Sequence, residues 1–342
     1  MQTIPYSISP SIYDWLVETD PENPSIRFFT FKNILGKNPD AEVVRMAGEK
    51  IMETGPVPAI LAHQHPDGYW EDPGPGYRPK YTSTVWSLIM LSQLGAHKNH
   101  PQVQQACKYV LENARTSDGY FSINRNQSGC VHCLQGNLSA ALIDLGQLES
   151  QCLQEAIGWL ACSVTGEGFY SSHERDRSPH YIRSGISGPG FLCSANDHQP
   201  CAWGAVKVGL ALSKIPMSQR SLSVNNAIDR CLELLLSVDP VSADYPHPFA
   251  PKPSTSWFKF GFPMFYVTDL LQNLEVLLAL GLKGDRRLEK AIAFIEKQQD
   301  KDGKWHMTYT YNGKTWVHIE EKKQPSKWIT YRALSVLKGF YG

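Results

Sequence analysis

Two clusters of cysteines are the residues most suited to chemistry: Cys130-Val-His132-Cys133, and Cys193-Ser-Ala-Asn-Asp-His198-Gln-Pro-Cys201. Sulfur ligands select zinc, and a C-x-x-C pair supplies two of them without strain. Cys130, Cys133, Cys193 and Cys201 are therefore expected to converge on one tetrahedral zinc ion. Closed by four sulfurs, such a site is structural; with three sulfurs, or with two and His132 or His198, it keeps a position for water or substrate. The competing reading is that these are free thiols acting as small hydrophobes. Cys107, Cys152, Cys162 and Cys231 lie within predicted helices and take that second reading.

Asp269, in Phe265-Tyr266-Val267-Thr268-Asp269, falls at the start of a predicted apolar helix. It is either a proton donor whose pKa burial raises or a first-turn acid answering the helix dipole. Lys80 with Tyr81, and Lys327 with Trp328, stand at corresponding helix starts and can hold an anionic group or simply close a loop; Lys80 and Tyr81 join Asp269 as the candidate catalytic residues. Trp86, Trp203 and Tyr266 are candidate substrate-binding aromatics, together with Lys327 and Trp328. The loop His173-Glu-Arg175-Asp-Arg177-Ser-Pro-His180 gathers cationic donors suited to a diphosphate, interleaved with acids that can pair with them instead.

The elements that must position these side chains form a repeat. Gln64-His-Pro-Asp67-Gly-Tyr-Trp70 is echoed by Ser117-Asp118-Gly119-Tyr-Phe121, by Gly166-Glu167-Gly168-Phe-Tyr170 and by Gln299-Asp-Lys-Asp302-Gly-Lys-Trp305. The first three copies recur about every 50 residues, a spacing that fits a two-helix unit. Apolar segments of helical length lie between them, at 82–94, 101–113, 137–148, 153–163, 202–213, 224–237, 268–280, 286–298 and 326–338. In each pair one helix is apolar almost all round, as in Val85-Trp86-Ser87-Leu88-Ile89, and the other is amphipathic, as in Leu288-Glu289-Lys290-Ala291-Ile292. An inner ring wrapped by an outer ring is the expected result. Cysteines that precede consecutive inner helices would then be neighbours.

Gln64, Asp67, Gly68 and Trp70, with Gln299, Asp302, Gly303 and Trp305, resemble the Q-x-x-D-G-x-W motif of the prenyltransferase and squalene-cyclase repeat superfamily. Gly76-Tyr-Arg-Pro-Lys80-Tyr81, Cys133-Leu-Gln-Gly136-Asn137 and Pro325-Ser-Lys327-Trp328 are similar to a prenyltransferase-like bacterial and archaeal branch of it. The resemblance implies an all-α fold, an α/α toroid of about five to six helix pairs over 57–342 with a helical extension at 1–56. It also implies loops whose aspartate and tryptophan tie adjoining helix ends together. The chain departs from the family where chemistry is concerned. It holds neither the Asp-x-Asp-Asp or Asp-Cys-Thr-Ala-Glu acid motif of type II cyclases nor the Asp-Asp-x-x-Asp magnesium motif.

Composition narrows the partners. Lysine plus arginine equals aspartate plus glutamate at 33 each among 342 residues, so no global field draws the chain to nucleic acid or to an anionic membrane. No run reaches the ~18 apolar residues of a membrane span, and no export signal opens the chain, so a cytoplasmic protein with reduced thiols is expected. With 9 Trp, 15 Tyr and 13 Phe, an aromatic-lined cavity is feasible. The expected function is a zinc-binding, prenyltransferase- or terpene-cyclase-like enzyme acting on an isoprenoid, possible diphosphate included, or on another hydrophobic substrate. The alternative is a non-catalytic, zinc-stabilised toroid that binds a lipid or protein partner.

Overall fold

A computed structural model describes residues 9–170, 182–248 and 252–342. The cationic loop from His173 to His180 lies outside the described residues. Among those described the chain is helical, with three two-residue strand pairs as the only sheet. In order the helices are α1 (Pro10–Val17), α2 (Pro24–Phe29) running into a π-helix (Thr30–Ile34), α3 (Glu42–Glu53), α4 (Pro56–Leu61) and α5 (Thr84–Gln93). Then come α6 (Pro101–Asn113), α7 (His132–Asp144), α8 (Gln151–Thr165), α9 (Ala202–Ser213) and α10 (Leu222–Leu235). The last three are α11 (Leu270–Ala279), α12 (Glu289–Lys297) and α13 (Lys327–Tyr341). Among the described residues no helix is long and apolar enough to cross a membrane.

The two kinds of helix differ in burial as their sequences require. In α5 every residue from Thr84 to Ser92 is buried, whereas α6 buries Val103, Ala106, Cys107, Val110 and Leu111, one stripe at helical spacing. The fully apolar helices pack on one another in chain order, α5 on α7, α7 on α9, α9 on α11 and α11 on α13. The amphipathic helices α6, α8, α10 and α12 cover them from outside. The circuit closes through the N-terminal segment: α13 packs on α2 and the π-helix, and the Ser25 hydroxyl of α2 donates to the Leu94 carbonyl at the end of α5 (2.6 Å). Residues 9–34 are thus built into the ring rather than added outside it.

The repeated loops perform one task twice. The Trp70 indole donates to the Ile60 carbonyl and the Trp305 indole to the Ile295 carbonyl, both at 2.8 Å, clasping the end of the preceding outer helix. Their backbone N–H groups donate to Thr84 and Thr330 at the next inner helix, both at 3.1 Å. Tryptophan therefore ties the helix ends as expected. Asp67 instead pairs with His65 within its own loop.

Candidate functional site

Because each unit runs outer helix, loop, inner helix, the long loops collect at the N-terminal ends of the inner helices. There they enclose a cavity of about 400 Å³. Tyr77 and Lys80 enter it from the loop before α5, Cys133 from the first turn of α7, and Trp203 from the first turn of α9. Tyr245, Trp257 and Tyr266 close the far side. The lining is aromatic, with Lys80 exposed at the rim and its Nζ 5.8 and 5.7 Å from the ring centres of Tyr77 and Tyr266. The Tyr266 hydroxyl is buried beside that of Tyr77, and burial raises its pKa well above the usual tyrosine range.

One wall carries thiols. Leu192–Cys193 pairs antiparallel with Gln199–Pro200, and this hairpin brings Cys193 beside Cys201. Cys201 in turn reaches Cys133 across the α7–α9 contact. Hydrogen bonding to Cys133 pushes the Cys201 thiol up to about 12, against the opposing bond it receives from Cys193. Hydrogen bonding to Cys201, then burial, pushes Cys193 up as well.

Cys130 does not join them. Helix α7 begins at His132, earlier than the sequence pattern suggested, so Cys133 is helical while Cys130 lies before the helix in extended backbone. Its side chain turns away, into a separate cluster with Tyr120 and Phe169, and its sulfur accepts from Gln135 at 3.0 Å. Desolvation there pushes its pKa up to about 11. The expected four-sulfur zinc site is not assembled. Among the described residues no group of three or more His, Cys, Asp or Glu side chains is arranged to hold a metal ion.

Other expected site residues serve the architecture. Asp269 is 1% exposed and caps α11, accepting from the Gln272 N–H at 2.8 Å. Both its oxygens are held by the Arg332 guanidinium, at 2.8 and 2.9 Å, and Arg332 also binds Glu275. Both of its oxygens are taken up by the cap and by Arg332, so the catalytic expectation is corrected to an ion-paired helix cap. Trp86 is fully buried beneath the cavity rather than lining it, and donates to the Tyr77 carbonyl at 2.8 Å. Tyr81 packs on Trp86, Phe265 and Tyr311, with centroids 5.2, 5.3 and 4.8 Å away, and so belongs to the same aromatic plug. Lys327 is paired with Glu18 (2.6 Å) and Asp20 (2.9 Å). Trp328 stacks on Phe262 at 3.6 Å and donates to Asn23. These last two fasten the N-terminal segment to α13 and contact no part of the cavity. Of the expected set, Lys80, Trp203, Tyr266, Cys133, Cys193 and Cys201 line it.

Sequence reasoning missed Lys207. It lies in α9, inside the run Ala205-Val206-Lys207-Val208, and is fully buried with its ammonium on the Gln272 side-chain oxygen. Desolvation pushes its pKa down to about 7, while the charges of Cys133 and Asp269 oppose that fall. A lysine inside an otherwise apolar inner helix was the available signal.

A second, larger cleft of about 590 Å³ opens at the other ends of α5, α7 and α9. Its ionic groups are largely paired with each other, Lys214 with Asp144 and Arg332 with Glu275, which suits structural closure better than ligand capture.

No known family's sequence profile matches the chain, and no curated protein matches it by sequence. Among solved structures it is similar to the type II terpene cyclase MstE from Scytonema without ligand, at 14% identity and a TM-score of 0.32 over 82% of this chain and 94% of that one. A variant of MstE in complex with geranylgeranyl dihydroxybenzoate aligns at 15% identity and a TM-score of 0.31, over 83% and 94%. So low a TM-score carries nothing over to the site, and the ring rests on the chain's own packing.

Proposed function

We propose that the protein binds an isoprenoid, or a comparably hydrophobic small molecule, in the cavity at the N-terminal ends of its inner helices, as an enzyme of prenyltransferase or terpene-cyclase type. The observation that carries this reading is the cavity itself. Its volume is within the usual range for small-molecule sites, its walls include Trp203, Trp257, Tyr245 and Tyr266, and Lys80 stands exposed at the rim. Aromatic faces grip prenyl chains and stabilise cationic carbon. Lys80 can meet a phosphate or carboxylate head group. No carboxylic acid lines the cavity among the described residues.

Titrating the protein with farnesol and farnesyl diphosphate while following tryptophan fluorescence tests the reading. Saturable quenching that Trp203→Ala weakens at least about tenfold, a loss of roughly 1.4 kcal/mol, supports it; an unchanged affinity overturns it. Elemental analysis of the same sample decides the metal, since a zinc content near one per chain would contradict the donor set described above.

A second reading, a non-catalytic toroid, is favoured by one feature. Trp86 and Phe265 are fully buried and fill the centre, and Asp269 is spent on Arg332. Prolonged incubation followed by mass spectrometry separates the two: recovery of every tested prenyl ligand unchanged supports the binding module.

A further inference from the structure

At the end of the ring away from the first cavity, the cleft of about 590 Å³ carries groups that its ion pairs do not account for. The pairs Lys214–Asp144 and Arg332–Glu275 hold its inner sides together, and each cancels its own charge. Two more cations line the cleft, Lys32 from the π-helix after α2 and Lys98 from the turn between α5 and α6. Both are exposed, and among the described residues neither is ion-paired. The Lys32 Nζ stands 5.6 Å from the centre of the Phe28 ring. The Lys98 stem lies over Gly146, where an added Cβ would come within 3.3 Å of its Cδ.

Much of the remaining lining is apolar. Phe28, Phe29 and Tyr331 form a half-buried aromatic side, with Phe29 stacked on Tyr331 at 5.7 Å, and Ile89, Phe262 and Met264 lie deeper. Partly exposed aromatic surface inside a concavity of this size suits a small apolar ligand. The inner-helix ends at this cleft are C-terminal, and free carbonyls there would repel an anion. They are already used. The Leu94 carbonyl accepts from Ser25 at 2.6 Å and the Leu145 carbonyl from Gln104 at 3.1 Å, while the Gly95 and Gly146 N–H groups donate back to Ser92 and Ile143. The charge left over at the cleft is therefore positive.

We propose that this cleft is a second ligand site, which takes a free amphiphilic anion: a hydrocarbon chain lying along Phe28, Phe29 and Tyr331, ending in an anionic head group that Lys32 and Lys98 meet. Burial of the chain drives binding, and the two exposed ammonium groups select the sign of the head group. The site does not depend on the isoprenoid reading of the first cavity. Among the described residues the two share no part of their linings.

Isothermal titration calorimetry with decanoate tests the site, with decanol and decyltrimethylammonium as the neutral and cationic counterparts. Saturable decanoate binding is expected in a Lys80→Gln/Trp203→Ala variant, in which the first cavity is disabled. Adding Lys32→Gln and Lys98→Gln to that variant should weaken decanoate about tenfold and remove most of the salt dependence of its binding, while decanol is unaffected. Both lysines are exposed, so the substitutions leave the core intact. The proposal is overturned by an absence of saturable decanoate binding, by decanol or decyltrimethylammonium bound as tightly as decanoate, or by an affinity that the two lysine substitutions leave unchanged. Decanoate binding that vanishes with Lys80→Gln/Trp203→Ala overturns it too, and returns the anion to the first cavity. Sedimentation of the protein with vesicles of anionic phospholipid, without binding of free decanoate, overturns it in favour of membrane docking by this face.

Discussion

Packed against Phe191, with Nε2 3.0 Å from the Ser163 hydroxyl, the His132 imidazole is fully enclosed, and burial lowers its pKa to about 4. In the unfolded chain the same group titrates near ~6.5. Between those values the unfolded state binds the extra proton, so stability falls as pH drops from about 6.5 towards 4, by up to about 3 kcal/mol from this residue. Urea denaturation at pH 7.5 and pH 5 should show that loss in the wild type and a smaller one in His132→Gln. Asp269 gives a complementary prediction in which chemistry plays no part. Asp269→Asn leaves Arg332 buried with only Glu275 to balance it and should cost about 3–5 kcal/mol in urea denaturation. A cost below about 1 kcal/mol, within the range of exposed pairs, would reopen Asp269 as a free acid. Neither residue's role was legible in the sequence. The spacing of Asp269 before an apolar helix fits a cap and a proton donor equally well, and its partner Arg332 is 63 residues away.

At the scale of elements, the cavity wall depends on how closely α7 and α9 approach. A Cβ built on Gly136 would lie 2.3 Å from the Lys207 carbonyl carbon, a backbone atom with no room to yield. Gly136→Ala should therefore drive the helices apart, destabilise the fold by more than about 2 kcal/mol and separate Cys133 from Cys201. Gly204, on α9, meets nothing closer than 3.5 Å, and Gly204→Ala should be neutral or stabilising by about 0.5–1 kcal/mol. Thermal melts of the two variants check the contrast, and equal effects would show that Gly136 is not a close-contact point. Helix positions were the most readable part of the chain, because 101–113 and 202–213 coincide with α6 and α9. The start of α7 was less readable. His132 and Cys133 lack the pattern of a cap, and α7 has no side-chain cap hydrogen bond to betray its first turn. That boundary is what separates Cys130 from Cys133.

For the whole molecule, one hydrophobic cluster extends from Ile12 to Phe340, so closing the ring and building the cavity are the same event. A ligand that binds only the folded ring should raise its stability by about 2.7 kcal/mol at a hundred times its Kd. A farnesol-dependent rise in melting temperature in the wild type, reduced in Trp203→Ala, is the expected result; no rise would show that the folded ring does not bind farnesol, and an equal rise in Trp203→Ala would place the binding elsewhere.

The sequence by itself determined the helical repeat. Its alternation of wholly apolar and one-faced helices leaves no other way to bury the apolar surface, and Trp70 and Trp305 mark equivalent joints. It also pointed to four thiols, of which three cluster, and to the aromatic lining, since residues just before inner helices must face the ring's open end. Only the tertiary structure decided which groups meet. Whether Asp269 is free or paired, whether Lys207 is solvated or enclosed, and whether Cys130 turns towards Cys133 or towards Tyr120 all depend on contacts between elements far apart in the chain. Local pattern records how a segment buries its surface, but not which partner stands on the other side.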